Sequence, residues 1–254
     1  MNTTVVLPAY NEAHNLPAVL ERLLAVFAAL CYGEGQVIVV DDGSSDDTAA
    51  VADRFAATGR VIVLQHEKNR GLAAALRTGL VAASSRDGVV VTMDADDSHD
   101  PALIPALLAG IESGNDVMIA SRFQDGGGMV GVPAYRSLLS VAANRAMRFV
   151  FPDASIRDYS TGYRAYRSTL LRRLIARHGE GLLSQRGFAA TVEILLKARA
   201  EGARIGEVPF VLRYDRKAGP SKMNVSATVA GYLRLMISDF PAANLPKPRS
   251  TRVF

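Results

Sequence analysis

Gln36-Val37-Ile38-Val39-Val40-Asp41-Asp42-Gly43-Ser44-Ser45-Asp46 runs four β-branched residues into a pair of carboxylates and a glycine-serine turn. An apolar run without polar alternation predicts a strand buried on both faces, as in a parallel sheet covered by helices. The surrounding sequence repeats the unit. Strands are predicted at residues 3–7, 36–40, 60–64, 88–93 and 116–120, with helices at 16–30, 46–57, 71–84 and 101–113. In the first helix Leu16, Val19, Leu20, Leu23, Leu24 and Phe27 recur at helical spacing, with Glu21 and Arg22 opposite. The expectation is an α/β fold, a mostly parallel central sheet with helices on both faces and its ligands beyond the strand C-terminal ends.

Outward from this core the alternation stops at Asp125-Gly126-Gly127-Gly128. Helices are expected at 135–149 and 187–201, shorter pieces around 158–167, a strand at 205–214 and an amphipathic helix at 225–238. The segment 241–254, with prolines at 241, 246 and 248, reads as an arm or a disordered end. The reading is one domain over 1–240, split into halves 1–120 and 121–240.

The chain has 254 residues, 49% apolar and 21% charged, enough for one such domain and unlike a disordered or fibrous protein. Its single cysteine, Cys31, forms no internal disulfide and no thiol redox pair, and reads as a buried small hydrophobe in a reducing cytoplasm. No apolar run reaches the ~20 residues of a membrane span, and no signal-peptide pattern opens the sequence. The chain therefore reads as soluble or peripheral on the cytoplasmic face of a membrane. The net charge of +4 divides unevenly: 7 Lys and Arg against 16 Asp and Glu in residues 1–120 (net −9), 22 against 9 in residues 121–254 (net +13). Eighteen of the latter 22 cations are arginines, whose forked donors suit phosphate. A cation site in the first half and an anionic partner for the second is one reading; solvated surface charge is the other.

Three polar clusters each follow a predicted strand and so converge on one sheet edge. Pro8-Ala9-Tyr10-Asn11-Glu12 offers a ring to stack a base and a carboxylate to accept from base or sugar, or is an ordinary turn and cap. Asp41-Asp42-Gly43-Ser44-Ser45-Asp46 offers strand-end carboxylates, with Ser45 or Asp46 free to cap the next helix. Asp94-Ala95-Asp96-Asp97-Ser98-His99-Asp100-Pro101 places four carboxylates in seven residues, which repel unless a cation or several donors balance them. Asp94 and Asp96, at i and i+2, face one way from an extended chain and can share a hard divalent cation and the diphosphate it brings. The alternative is an acidic turn with Asp100-Pro101 opening a helix.

Together the clusters, with Asn69-Arg70-Gly71-Leu72, resemble the family 2 glycosyltransferases, inverting enzymes of the GT-A (nucleotide-diphospho-sugar transferase) fold. Ser121-Arg122-Phe123, Tyr135-Arg136, the stretch from Asp158 to Tyr166 and Asp215-Arg216-Lys217-Ala218-Gly219-Pro220-Ser221-Lys222 are similar to the dolichyl-phosphate or polyprenyl-phosphate mannosyltransferase branch. The resemblance spans roughly residues 3–222 and implies transfer of a hexose, mannose from GDP-mannose, to a polyprenyl phosphate. It implies that Pro8, Tyr10, Glu12 and Asp42 hold the nucleoside, with Asp94 and Ala95 near the ribose or sugar-phosphate. Asp96 and Ser98 would hold Mg2+ or Mn2+. Arg122 and Arg136 would meet the acceptor phosphate, and Arg216 and Lys222 would reach the diphosphate. Where the branch has Leu then Gln after the second Asp, this chain has Asp97 and Ser98, so coordination through Ser98 would pass by water and Asp97 would change the metal shell. Phe188-Ala189-Ala190-Thr191-Val192 likewise replaces the branch's Gln-rich stretch before Glu193.

A lipid phosphate is anionic near neutral pH and attacks without a general base; Arg145, Arg148, Arg157 and Arg164 would then join Arg122 and Arg136 in countering phosphate charge. A hydroxyl acceptor would need a base, with Asp158 or Asp97 the first candidates. UDP-glucose or another nucleotide sugar is the alternative donor. A basic nucleotide- or nucleic-acid-binding protein is the non-enzymatic reading, opposed by the acidic strand ends and by the lack of an aromatic platform. No G-x-G-x-x-G follows the first strand, which argues against dinucleotide redox chemistry. His99 reads as a metal ligand or a packing residue, Asn69-Arg70-Gly71 as phosphate-binding N–H groups or a turn, and Glu193 as a buried acid needing a sugar hydroxyl or a nearby arginine. The stripe Val225, Val229, Tyr232, Leu233, Met236 and Ile237 suits the core, a dimer contact or a lipid interface.

Overall fold

A computed structural model describes residues 1–29, 34–219, 222 and 225–239. The expectations for Cys31, Pro220, Ser221 and 241–254 lie outside the described residues. The first half follows the expected alternation: β1 (Thr3–Ala9), α1 (Leu16–Ala29), β2 (Gly35–Asp41), α2 (Thr48–Ala56), β3 (Val61–Gln65), α3 (Leu72–Ser84), β4 (Val89–Thr92), α4 (Ile104–Glu112) and β5 (Val117–Ser121). Then come β6 (Gly128–Val130), α5 (Ala134–Val150), β7 (Arg164–Arg167), α6 (Ser168–His178), α7 (Ala189–Ala200), β8 (Ile205–Pro209), β9 (Val211–Arg213) and α8 (Val225–Arg234).

Among the described residues the main sheet runs β3-β2-β1-β4-β7-β5-β8, parallel except for β7, which is antiparallel to β4 and β5. Alternate side chains of each strand enter different cores. Val37 and Val39 pack with Val5, Leu7 and the apolar face of α1, whereas Ile38 and Val40 pack with Val6 and with Leu76 and Leu80 of α3. Both faces are thus buried, which is why the strand sequences show no polar alternation.

Three elements escaped the sequence reading, the first being the three-residue β6, which begins at the last glycine of the run. β7 is four residues long and carries Arg164, fully buried, whose guanidinium donates to the carbonyls of Tyr159 and Thr191. α6 follows it without a loop, although Leu170, Leu171 and Leu174 do recur at helical spacing and are buried. The strand expected at 205–214 is two strands broken at Phe210: β8 pairs with β5, and β9 pairs with β6 in a separate two-stranded sheet. Phe210 turns its ring inward against His99 and Tyr163, with centroids 5.3 and 5.5 Å away. The helix expected at 225–238 changes to a π-helical turn over Leu235–Asp239.

The chain leaves β1 for β2 on one side and returns to β4 on the other. Such a reversal opens a crevice at the strand C-terminal ends.

Candidate functional site

The turns after β1 and β2 are stitched into one rim. Asn11, at φ 53°, presents Oδ1 to the Ser45 N–H (2.8 Å), and its own N–H donates to Ser44 Oγ (2.9 Å). The Glu12 N–H donates to Thr48 Oγ1 (2.8 Å), and Asp46 accepts from the Thr48 N–H (3.0 Å), although the cap position of α2 is Asp47, whose side chain makes no capping bond, and not Ser45 or Asp46 as expected. Asp41 and Asp42 divide the labour. Asp41 accepts from Ser44 N–H and Gln65 Nε2, and Asp42 accepts from the N–H groups of Arg70 (3.0 Å) and Gly71 (2.7 Å), with His66 Nδ1 2.6 Å away. Those two amides, one reading of which was phosphate binding, are therefore spent on Asp42.

The four carboxylates after β4 also separate. Asp97, at φ 68°, turns to Arg22 on α1 and away from any metal shell, and Asp100 caps the turn at Pro101 through Ala102 N–H (3.0 Å). Asp94 and Asp96 alone face the crevice. The Asp94 N–H donates to His99 Nδ1 (3.0 Å), and the His99 ring stacks on Tyr163 at 5.0 Å, so this histidine packs and positions. Burial pushes the Asp94 carboxyl upward, against the opposing charges of His99 and Lys217. Ser98 directs its hydroxyl and its N–H to Asp96 Oδ1, and Lys217 Nζ takes Asp96 Oδ2. Burial would raise the Asp96 carboxyl too, but Lys217 and Ser98 hold it below the usual range.

Two cavities meet at this pair. The first, of about 390 Å3, is lined by Pro8, Tyr10, Glu12, Asp42, Ala95 and Lys222, among others. The second, of about 190 Å3, is mostly apolar, walled by Met129, Leu139, Ala143, Val225, Val229 and Tyr232, with Arg122, Arg136 and Ser98 also on its wall. Asp94, Asp96, Phe188 and Lys217 border both.

Arg122 is held by Asp158, which accepts from its Nε (2.8 Å) and Nη2 (2.9 Å). Asn144 Nδ2 and the N–H groups of Ser160 and Thr161 complete the shell of this fully buried carboxylate. Burial would raise its pKa; the Arg122 charge and these donors bring it to about 2. Arg136 reaches Tyr135 Oη (2.9 Å) and Tyr214 Oη (3.4 Å).

Residues 4–175 match the sequence family Glycosyl transferase family 2. The chain belongs to this family. As a family 2 glycosyltransferase it is 34% identical over 227 residues to the polyprenol monophosphomannose synthase of Mycolicibacterium smegmatis, covering 88% of this chain and 82% of that one. It is 34% identical to the undecaprenyl-phosphate mannosyltransferase of Micrococcus luteus, with 88% of each chain covered. Against the dolichol-phosphate mannosyltransferase of Pyrococcus furiosus the identity is again 34%, over 92% of this chain and 62% of the longer relative. A crystal structure of glucosyl-3-phosphoglycerate synthase from Mycobacterium tuberculosis with Mn2+ and UDP superimposes at a TM-score of 0.64, 20% identity, covering 96% of this chain and 81% of that one. The fold is GT-A.

Other residues of this glycosyltransferase fall elsewhere than the sequence suggested. Arg216 lies outside both cavities, its Nη1 3.2 Å from Asp100 Oδ2. Arg164 is buried beneath the sheet, Arg157 pairs with Asp125 at the surface, and Arg145 and Arg148 are exposed on α5, so none of the four meets the cavities. Glu193 accepts from Ser184 and Gln185 N–H groups (both 2.8 Å) and pairs with Lys197, one helical turn on, in place of the expected arginine or sugar hydroxyl. Lys217 and Arg186 were missed as cavity residues. Lys217 stood beside Arg216 in a quoted motif, and only the loop's path selects between neighbours. Among the described residues, no three His, Cys, Asp or Glu side chains form a ready ligand set. Asp96 nevertheless fits a divalent ion: one oxygen is oriented by Ser98, and the other already faces a cation. Mg2+ bound through one or two carboxylates plus substrate phosphates needs no fuller cage.

Proposed function

We propose that this protein transfers mannose from GDP-mannose to the phosphate of a polyprenyl lipid, with inversion at the anomeric carbon. The observation that carries the reading is the junction at Asp94 and Asp96, where a cavity lined by carboxylates and lysines meets an apolar one with two arginines on its wall. The three curated relatives, named for mannosyl transfer to or synthesis on polyprenyl lipids, support it.

In this reading residues 1–120 form the donor half and 121–240 the acceptor half of one domain. Tyr10, Pro8, Glu12 and Asp42 hold the nucleoside, and Asp94 and Ala95 lie by the ribose or sugar-phosphate. Asp96, oriented by Ser98, holds Mg2+ or Mn2+, which supplies charge neutralisation for the departing diphosphate. Lys222, now on Glu12, turns to the diphosphate; Arg216 would do so only by leaving Asp100. Arg136, with Arg122 held firm by Asp158, receives the acceptor phosphate. A phosphate oxygen then attacks the anomeric carbon as the bond to the diphosphate breaks, and no proton has to be removed. The alternative base candidates are both engaged, Asp158 on Arg122 with its pKa brought to about 2 and Asp97 on Arg22. A hydroxyl acceptor is disfavoured accordingly.

The isoprenoid chain fits the apolar walls between α5 and α8, whose outer faces expose Tyr135, Leu138, Phe149 and Leu233, with Ile237 exposed on the π-helical turn that follows. With Arg145 and Arg148 alongside, that surface suits an anionic lipid interface. Among the described residues no helix is long and apolar enough to cross a membrane.

The test is a thermal-shift screen of GDP-mannose, UDP-glucose and UDP-GlcNAc with Mn2+, followed by incubation with a short polyprenyl phosphate. GDP-mannose should raise the Tm most, and lipid-linked mannose should form. Arg136→Ala should suppress product without abolishing the GDP-mannose shift. Product from Arg136→Ala at the wild-type rate would overturn the phosphate assignment, and a larger shift with a UDP-sugar would overturn the donor.

A further inference from the structure

The loop after β9 lays two lysines over the larger cavity and an arginine outside it. Arg216 rests on Asp100, Lys217 on Asp96, and Lys222 on Glu12 Oε1 at 2.6 Å and on the carbonyls of Tyr10 and Asn11. Between the lysines, Ala218 exchanges hydrogen bonds with the Asn15 amide, its N–H 3.0 Å from Oδ1 and its carbonyl 3.2 Å from Nδ2. The backbone is therefore anchored independently of the charged side chains.

Lys217 differs from its neighbours in where its charge sits. Its side chain is 9% exposed and that of Asp96 14%, against 37% for Lys222. The Lys217 Nζ sits on Asp96 Oδ2, and Asp94 and Glu12 line the same cavity, so the lysine charge is set among three carboxylates. The Tyr214 ring lies 5.8 Å from Nζ. Ser98 occupies Asp96 Oδ1, and the remaining oxygen, Oδ2, faces Lys217. That oxygen is the one through which Asp96 would bind a divalent ion.

We propose that Lys217 is a resident cation of the metal subsite: it neutralises Asp96 before the donor arrives, is displaced by the divalent ion, and then pairs with the donor's diphosphate. The inference rests on the reading of Asp96 as the metal carboxylate. A divalent ion entering alone meets the Lys217 ammonium at Asp96 Oδ2, and the repulsion between the two cations weakens that binding. A nucleoside diphosphate removes that penalty, because Lys217 borders both cavities and its four-carbon stem lets Nζ follow the phosphates without moving the anchored backbone. Metal and nucleotide then bind cooperatively, each strengthening the other by the same factor. Couplings of this kind are typically about 5- to 150-fold.

The experiment is a titration of the full chain with Mn2+, read as free Mn2+ by electron paramagnetic resonance, with and without GDP. Wild type should bind Mn2+ weakly alone and at least about tenfold more tightly with GDP. Lys217→Gln should bind Mn2+ alone several-fold more tightly than wild type and lose most of the GDP dependence. Lys217→Arg should keep the wild-type pattern. Lys222→Gln removes a charge from the same cavity but not from Asp96, so its effect on Mn2+ alone should be smaller. Equal tightening by the two glutamine variants, or none by Lys217→Gln while wild type binds Mn2+ with GDP, overturns the inference and leaves the metal reading standing. Mn2+ binding that survives Asp96→Asn, or fails in every protein even with GDP, overturns both.

Discussion

Asp158→Asn tests whether the acceptor wall depends on a buried ion pair. The Asp158 carboxylate is fully buried and takes hydrogen bonds from Arg122, Asn144, Ser160 and Thr161, all of them donors. Its pKa falls from 3.8 to about 2, and at about 1.36 kcal/mol per pH unit this favours the folded, ionised form by about 2 kcal/mol. The folded pKa is depressed, so this stabilisation is complete above the unfolded value near 3.8 and is lost as pH falls through about 2. The asparagine variant loses more than that at neutral pH. Its amide turns a donor toward donors, and the Arg122 side chain, 11% exposed, is left without its counter-charge. Removing one partner of a buried pair costs about 3–5 kcal/mol. Urea unfolding at pH 7, 4 and 2.5 should give a deficit of that size at pH 7 that narrows toward pH 2.5 by up to about 2 kcal/mol. A deficit within about 0.5 kcal/mol at pH 7, the range of ordinary surface changes, would refute the pair as a structural element.

Other consequences are separately measurable. Gly79→Ala should destabilise by about 1–3 kcal/mol in chemical denaturation, because a Cβ there would lie 2.3 Å from Val6 Cγ1 where α3 packs on β1. Leu138→Glu with Phe149→Glu should reduce sedimentation with anionic vesicles at least about tenfold, since these side chains are 70% and 88% exposed and anionic replacements repel the surface. Melting temperature should stay within a few degrees in that double variant. Glu193→Gln should lower stability by about 3 kcal/mol through the stranded Lys197 ammonium, which otherwise bonds Glu193 and the Leu182 carbonyl at 3.0 Å.

The strand-end clusters were legible because their information is local. A β-branched run, a carboxylate pair and a turn are consecutive in sequence, and parallel pairing alone brings three such ends together. The short β7 was not legible, since four residues containing two arginines carry no strand period, and its place comes from pairing with β4 and β5. The acceptor arginines were over-read for a related reason. Composition counts guanidinium groups but not their direction, and Arg164 is spent on the carbonyls of Tyr159 and Thr191 while Arg157 pairs with Asp125 at the surface.

By itself, then, the sequence determined the layered α/β fold, the sheet edge where the polar clusters gather and the division of charge between the two halves. These follow from periodicity and from the order of residues along the chain. Only the tertiary structure decided which charges face the cavities. Asp97 and Asp100 are drawn off to Arg22 and to a helix cap, Asp94 and Asp96 remain, and Lys217 settles on Asp96 from 121 positions away in the chain. The physical reason is that a buried charge must find a partner, and the partner is chosen by proximity in the fold.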